Sequence, residues 1–336
     1  MTAPRTRTGQ LPGTQGRADE VPEGSEILHD YIRRCGNWGR WGPDDEIGTL
    51  NYVGPEQVRA AAALVKKGEV IPLSLPYDQH GCQDGGFRQN PQLLVKASGT
   101  DYAAGAQEPT PWGPAKGFGF SDDVVILPTQ AGTQWDSLSH IFFDGNMYNG
   151  RPATLSTATG STRNGIQAGV DRFVMRGVLL DVARQAGVHS LAPGHAITVE
   201  ELERVADAEG VEIRRGDALL VRTGFLGARR GRWGDYAGGP APGLSLHTAP
   251  WLHEKEVAAV ATDTWGVEVR PNEIAHVQPL HTVALVHMGL AMGEIFDLEA
   301  LSASCDADGV YEFQFVAPPL PLSGASGAPL SGLAIK

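Results

Sequence analysis

The densest group of side chains that could do chemistry lies between Gln130 and His140. It follows a short apolar run, Val124–Leu127, which predicts a strand. In a turn after a strand, the amide oxygens of Gln130 and Gln134 and the carboxylate of Asp136 can converge on one cation, with His140 beside it as a base. The alternative is a loop whose Gln and Asp side chains bond backbone groups, with His140 a core histidine.

A second polar group lies near the C-terminus. His281 begins an apolar segment that predicts a helix from about Leu280 to Met288, and Glu294 lies within the apolar sequence LAMGEIF. A buried carboxylate without a partner costs several kcal/mol, so Glu294 should face a cation, an arginine or a proton donor. A metal ion would satisfy it. His287 should point to a different side of the helix from His281, which favours a structural role.

Composition and charge exclude several classes of protein. The 336 residues are 41% hydrophobic, enough for a substantial core, and the net charge of -12 disfavours nucleic acid and anionic membranes as partners. Cys35, Cys82 and Cys305 have no C-x-x-C spacing, which argues against a disulfide framework or a structural zinc site. Neither a signal peptide nor a membrane span is predicted. These features predict a cytoplasmic protein.

The elements that position the polar groups predict a mixed α/β fold. Residues 1–24 lack periodicity and predict a flexible tail, and residues 25–336 show no linker or internal repeat, which predicts one domain. Four apolar runs predict buried strands: Val124–Leu127, Val178–Val182, Ala218–Val221 and Val257–Ala261. Helices are predicted between Pro55 and Gly68, and from a capping box of Thr198 and Glu201 to Gly210. After the last helix come strands through Glu294 and over Tyr311–Val316, and the Gly- and Pro-rich C-terminus predicts irregular edge structure.

The chain resembles the cyclase-like metal-dependent hydrolase family, which includes bacterial kynurenine formamidase and isatin hydrolase. The family signature is His-x-Gly-Thr-His-x-Asp-x-Pro-x-His, and the segment from Gln130 to His140 matches it at Gly132, Thr133, Asp136 and His140. Other segments that resemble family blocks are NWGRWGPDDEIGTLN (37–51), RGVLLDVA (176–183), GDALLVRTG (216–224), TDTWGVEVRPNE (262–273), PLHTVALVHMGLAMGEIFDLEAL (279–301) and the closing APPLPLSGASGAPLSGLAI. The resemblance implies an α/β, single-domain, cyclase-like (swivelling β/β/α) fold with a mixed sheet.

The resemblance also implies roles for individual residues. The family's metal positions fall here on Gln130, Gln134, Asp136, His281 and Glu294. His140 falls on the position that transfers protons. Both leading histidines of the signature are glutamine in this chain, and the spacing from His281 to Glu294 is about one residue longer than the family pattern implies.

The two glutamines change the expected metal. Amide and carboxylate oxygens are harder ligands than imidazoles, which favours manganese, magnesium or calcium over zinc. Two carboxylates balance one divalent charge, so one ion is expected, with manganese favoured over zinc. The alternative is a site that has lost its metal.

The leading hypothesis for function is a metal-assisted hydrolase of a small cyclic amide, formamide or lactone, with His140 as general acid/base. The alternatives are a metal-dependent cyclase or lyase acting on a small carbonyl compound, and a metal-free binding protein. The resemblance to the family implies that the protein forms a homodimer or homotetramer. The candidate substrate-binding residues are Trp38, Trp41, Arg88, Trp135, Asp263 and Trp265. The alternative for the tryptophans is a place in the core, and the alternative for Arg88 is a solvated charge on a loop.

Overall fold

The computed structural model describes residues 23–108 and 117–336, so the tail predicted over residues 1–24 lies outside the described residues except for its last two. The α-helices of the described parts are Ser25–Cys35, Pro55–Ala62, Gly99–Ala103, Val182–Gln185, Val199–Glu209, Phe225–Arg229, Ala249–Glu254, Pro279–His281 and Glu299–Asp308. A π-helix covers Thr282–Met288. No helix in these two ranges is long and apolar enough to cross a membrane.

A nine-stranded mixed sheet organises the molecule. Its strands, in order across the sheet, are Val70–Pro72, Leu333–Ile335, Glu312–Val316, Val174–Asp181, Ala218–Arg222, Ala259–Thr262, Ala291–Glu294, Gln134–Asp136 and Gly327–Pro329. The four strands from Val174 to Glu294 run parallel, and the remaining neighbours in the sheet pair antiparallel. Four separate two-stranded sheets are also present in the described residues.

Both faces of the central strands are buried. In Val174–Asp181, Val178 and Leu180 pack into one hydrophobic cluster, whereas Met175 and Leu179 pack into a second cluster on the opposite face. Side chains alternate between the faces of a strand, so a strand covered on both sides needs an apolar residue at nearly every position. This explains why the predictions for the strands near residues 178, 218 and 257 are confirmed within a few residues.

Helix Val199–Glu209 forms as its end residues predict. The Thr198 side chain accepts a hydrogen bond from the Glu201 amide, the Glu201 carboxylate accepts one from the Thr198 amide, and Gly210 ends the helix at a φ of 67°. A positive φ of this kind favours glycine because glycine has no Cβ to clash with the backbone.

The strand predicted at Val124–Leu127 forms, but its predicted burial is wrong. Within the described residues, Asp122–Ile126 pairs with Gln92–Ala97 alone, and the resulting two-stranded ribbon is separate from the main sheet. The apolar side chains of both strands are exposed, including Leu93 at 61% and Val125 at 52%. A short apolar run predicts a strand, but it does not specify what covers the strand.

Two other predictions also need correction. The C-terminal segment is not irregular, because Gly327–Pro329 and Leu333–Ile335 are strands of the main sheet. The segment expected to be a turn contains the strand Gln134–Asp136, which lies between Gly327–Pro329 and Ala291–Glu294. The directions of the Gln134 and Asp136 side chains are therefore set by the alternation of side chains along a strand, and not by a turn.

The helix predicted from Leu280 to Met288 is present, but most of it is π-helical. A π-helix takes more residues per turn than an α-helix, so it can absorb an inserted residue while its ends keep their places. Gly289 then ends the helix at a φ of 71°.

Candidate metal centre

Strand register sets the first part of the site. Glu294, at the end of a parallel strand, lies directly opposite Gln134 on the antiparallel neighbour. Asp136 is two residues from Gln134 and therefore projects from the same face, whereas Trp135 projects from the other face into the core. The helix that begins at Pro279 packs over the face that carries Asp136 and Glu294, and brings His281 to them.

Asp136, His281 and Glu294 form a compact group. His281 Nε2 lies 3.8 Å from Asp136 Oδ2 and 3.4 Å from Glu294 Oε1. One ligand atom from each of the three residues lies within 4.8 Å of the others, and all three residues are buried. Ligand atoms that share a divalent ion at ~2.0–2.6 Å can be at most about 5 Å apart. The group therefore fits one metal ion.

The pattern of unsatisfied polar atoms supports this fit. Both carboxylate oxygens of Asp136, His281 Nε2 and Gln134 Oε1 are buried without a hydrogen-bond partner in the described residues. The Gln134 amide nitrogen donates to Glu294 Oε2 at 2.6 Å, which leaves the amide oxygen available for a cation. Leaving so many buried acceptors unpaired would be costly. A divalent cation bound between these atoms would satisfy them.

Glu268 holds His281 in place. Its Oε1 lies 2.5 Å from His281 Nδ1 and accepts the His281 backbone amide at 3.0 Å, while its Oε2 accepts the Leu280 amide. A carboxylate on one ring nitrogen leaves the other free to bind a metal, and such pairing is common around metal-binding histidines. Glu268 is not among the candidate residues predicted from the sequence. The available signal was an acid within the apolar run Val267–Val269.

We expect Glu268→Gln to weaken divalent-ion binding ~10- to 100-fold, the usual cost of losing an outer partner of a metal ligand. The amide oxygen can accept only one of the two backbone amides that the two carboxylate oxygens now accept, so thermal unfolding of the variant checks that the fold persists. Competition with a metallochromic chelator measures the affinity. Glu201→Gln is the matched control, because Glu201 pairs with His195 at 3.0 Å outside the group. If Glu268→Gln binds metal as tightly as the control, Glu268 does not support the ligand.

Burial and neighbouring charges shift the pKa values of Asp136 and His281. Burial raises the pKa of Asp136 to about 6, and the nearby Glu294 charge adds to the rise. Burial alone would lower the pKa of His281, but the neighbouring Glu268 and Glu294 carboxylates outweigh it and raise the pKa to about 10. The group thus attracts positive charge, which either a proton on His281 or a metal cation supplies.

His140 lies at the solvent side of the group. Its Nε2 is 3.9 Å from Asp136 Oδ1, its side chain is 25% exposed, and burial lowers its pKa. Gln130 lies beside His140, with its amide nitrogen 3.3 Å from His140 Nδ1 and 3.2 Å from Ser326 Oγ. These contacts place Gln130 against His140.

Comparison with protein families identifies the chain. The family model described as Putative cyclase matches residues 55–269, more than half of the sequence. The chain belongs to this cyclase family. A solved structure described as a novel cyclase is 36% identical, with a TM-score of 0.81 over 90% of this chain and 100% of its own. The comparison with curated proteins gave no match.

More distant structures share the fold. An isatin hydrolase bound to the product analogue thioisatinate has a TM-score of 0.57 at 15% identity, covering 81% of this chain and 93% of its own. Isatin hydrolase A from Ralstonia solanacearum has the same TM-score at 19% identity, covering 84% and 97%. This cyclase-family chain therefore has the mixed α/β, cyclase-like fold.

Asp136, His281 and Glu294 are called the metal group below, because they fit a metal ion. Two of the six candidate substrate residues lie beside this group in the cyclase-family chain. Arg88 donates to the Gln130 carbonyl at 3.0 Å, and its guanidinium lies 5.4 Å from the Trp265 ring. The Trp265 indole nitrogen donates to Gln83 at 3.2 Å. Gly266 follows Trp265, and a Cβ at that glycine would lie 3.8 Å from Glu294 Oε1.

The other four candidates have structural contacts elsewhere. Trp38 stacks on His287 at 4.8 Å, and Trp41 meets Tyr52 edge-on at 5.3 Å. The structural role predicted for His287 agrees with this contact. Trp135 is fully buried and donates to the Ala317 carbonyl. Asp263 is also buried, and its Oδ1 accepts both the amide and the hydroxyl of Thr223. None of these contacts brings the four side chains to the metal group.

Proposed function

We propose that this protein is a divalent-metal-dependent hydrolase of a small cyclic amide, formamide or lactone. The observation that carries this proposal is the convergence of unpaired buried atoms from Gln134, Asp136 and His281 beside Glu294. A metal ion held by Asp136, His281 and Glu294, with the Gln134 oxygen as a further neutral ligand, would supply Lewis-acid polarisation of a substrate carbonyl. The set contains one imidazole and otherwise oxygen donors, which favours manganese over zinc.

The protein's own residues have separate parts in this reaction. His140, partly exposed and next to the group, takes a proton from the attacking water and returns it to the leaving nitrogen or oxygen. Gln130 limits rotation of the His140 ring through the contact at Nδ1. Glu268 keeps His281 Nε2 directed at Asp136 and Glu294. The burial of Asp136, His281 and Glu294 excludes bulk water from the inner side of the site.

A second candidate is ring closure or elimination, which the 36% identity to a structure described as a cyclase favours. The same base can remove a proton from carbon next to a carbonyl without attack by water. A panel of formamides, lactams and lactones, assayed for product release in oxygen-18 water, separates the two. Hydrolysis incorporates the label into the product acid, whereas elimination or cyclisation does not.

We expect protein stripped with a chelator to regain more activity with Mn²⁺ than with Zn²⁺, because oxygen donors form most of the set. The assay is the best substrate of the panel, measured after titration with each ion. NaCl added to the same ionic strength is the control for general effects of salt. Restoration by zinc alone would contradict the proposed choice of metal.

We also propose that the chain works as a homo-oligomer in which a second copy covers the exposed ribbon of Gln92–Ala97 and Asp122–Ile126. Exposed apolar patches of this kind often mark protein interfaces. Leu93 and Val125 pair across the ribbon, so Leu93→Asp with Val125→Asp should give a smaller particle by sedimentation. The exposed substitution Val277→Asp is the control. A monomeric wild type, or an unchanged mass in the double variant, would refute this interface.

A further inference from the structure

Two arginines meet at one tryptophan beside the metal group. The Arg88 guanidinium carbon lies 5.4 Å from the Trp265 ring centre, and that of Arg270 lies 5.6 Å from it. Arg88 donates one hydrogen bond, to the Gln130 carbonyl, and neither arginine forms an ion pair within residues 23–108 and 117–336. All three side chains are partly exposed. Two cations therefore share an aromatic surface without a neutralising carboxylate.

Their position relative to the site follows from three contacts. Arg88 binds the backbone of Gln130, and the side chain of Gln130 contacts His140 at the exposed side of the group. Trp265 precedes Gly266, which lies against Glu294. The arginines thus stand on the side from which a small molecule would approach, at the edge of a buried group rich in carboxylates.

The chemistry of this pair is that of an anion site. Guanidinium groups bind carboxylates through paired N–H donors, and stacking on an aromatic ring keeps the group planar and oriented. The inner group has its own carboxylates, Asp136, Glu268 and Glu294, so it repels a second anion. A substrate carboxylate would therefore bind at the arginines while its reacting carbonyl reaches the inner group.

We infer that Arg88 and Arg270, lying over Trp265, form a subsite for a carboxylate of the substrate that is separate from the bond cleaved. This inference rests on the proposed function and narrows its substrate class to small carboxylate-bearing amides, formamides or lactones. Arg270 was not among the candidates from sequence. Its place in the site follows from its contact with Trp265.

Binding of benzoate and benzamide to the purified protein, measured by calorimetry, tests the subsite without relying on turnover. The two probes differ in charge but hardly in shape. We expect wild type to prefer benzoate by ~10-fold or more, because a charge-assisted hydrogen bond contributes about a factor of ten or more. Arg88→Gln and Arg270→Gln should each reduce that preference at least ~5-fold, and raised salt should weaken benzoate binding.

Arg232→Gln is the matched control, because Arg232 is exposed and the substitution removes the same charge. Arg88→Lys and Arg270→Lys keep the charge and should keep part of the preference, which guards against misfolding of the glutamine variants. No preference in wild type, or an unchanged preference in either glutamine variant, would overturn the subsite. A failure of the proposed hydrolysis would leave this binding result unaffected, so the two failures can be told apart.

Discussion

Asp136→Asn is expected to lose divalent-ion binding more completely than any other single change in the site. Asp136 is fully buried, its two oxygens have no partner in the described residues, and one lies 3.8 Å from His281 Nε2. The substitution removes one of the two charges that neutralise the ion, whereas Gln134→Ala removes a neutral dipole. We expect the affinity of Asp136→Asn to fall by more than the ~10- to 100-fold that the loss of an outer partner costs.

Calorimetric titration of chelated protein with Mn²⁺ measures this ranking. Gln134→Ala should bind with intermediate affinity, and Ser137→Ala, next to Asp136 in the chain, is the control for changes in the strand. Thermal unfolding checks that each variant is folded. If Asp136→Asn and Gln134→Ala bind Mn²⁺ equally well, the charged and neutral positions do not have the roles assigned to them.

His140→Ala is expected to keep its metal and its fold but to lose ~100- to 10,000-fold in turnover, the range for removal of a positioned general acid/base. The reason is geometric. The three side chains that fit a metal ion are Asp136, His281 and Glu294, while His140 lies 3.9 Å from Asp136 and partly faces solvent. Loss of its ring removes a proton carrier and leaves the ligand atoms where they are.

The measurement for His140→Ala combines metal content with kcat on the best substrate of the panel. His195→Ala is the control, since His195 pairs with Glu201 outside the group. Parallel loss of metal and activity would make His140 a ligand. Near-normal turnover would make it a structural residue. Either outcome would end its assignment as the general acid/base.

The strands and helices that can be predicted from the sequence are those whose local residue pattern agrees with their burial. The parallel strands at Val174–Asp181, Ala218–Arg222 and Ala259–Thr262 are buried on both faces, so nearly every position is apolar and the strands are visible without the structure. The helix between two of these strands is predicted by its end residues, a capping box of Thr198 and Glu201 and the terminal Gly210. These interactions join residues only a few positions apart. Local signals of this kind do not depend on the rest of the chain.

Local sequence patterns do not predict the parts of the structure that depend on pairing between segments far apart in the chain. Gln134–Asp136 forms a strand because segments about 160 and 190 residues later in the chain pair with it. The residues near Gln134 carry no sign of this pairing, so their local pattern predicts a turn. Trp135 then points into the core, since the strand sends alternate residues to opposite faces. The strand at Asp122–Ile126 is as apolar as a buried one but stands in an exposed ribbon.

The residues of the site also divide into those that can be predicted from the sequence and those that cannot. The resemblance directed attention to Asp136, His281 and Glu294, and the structure brings these three together. Glu268 and Arg270 could not be ranked from sequence, because one depends on contact with His281 and the other on contact with Trp265. Such contacts arise only when the helix from Pro279 and the loop after Ala259–Thr262 take their places in the fold.

The most direct test of the metal centre is a crystal structure of the protein grown with Mn²⁺, with data collected at the manganese absorption edge. We predict one anomalous peak per chain, within ~2.0–2.6 Å of oxygen or nitrogen atoms of Asp136, His281 and Glu294. A well-ordered site without such a peak at saturating Mn²⁺, or a peak bound by other residues, would contradict the assignment of these three side chains as the metal ligands.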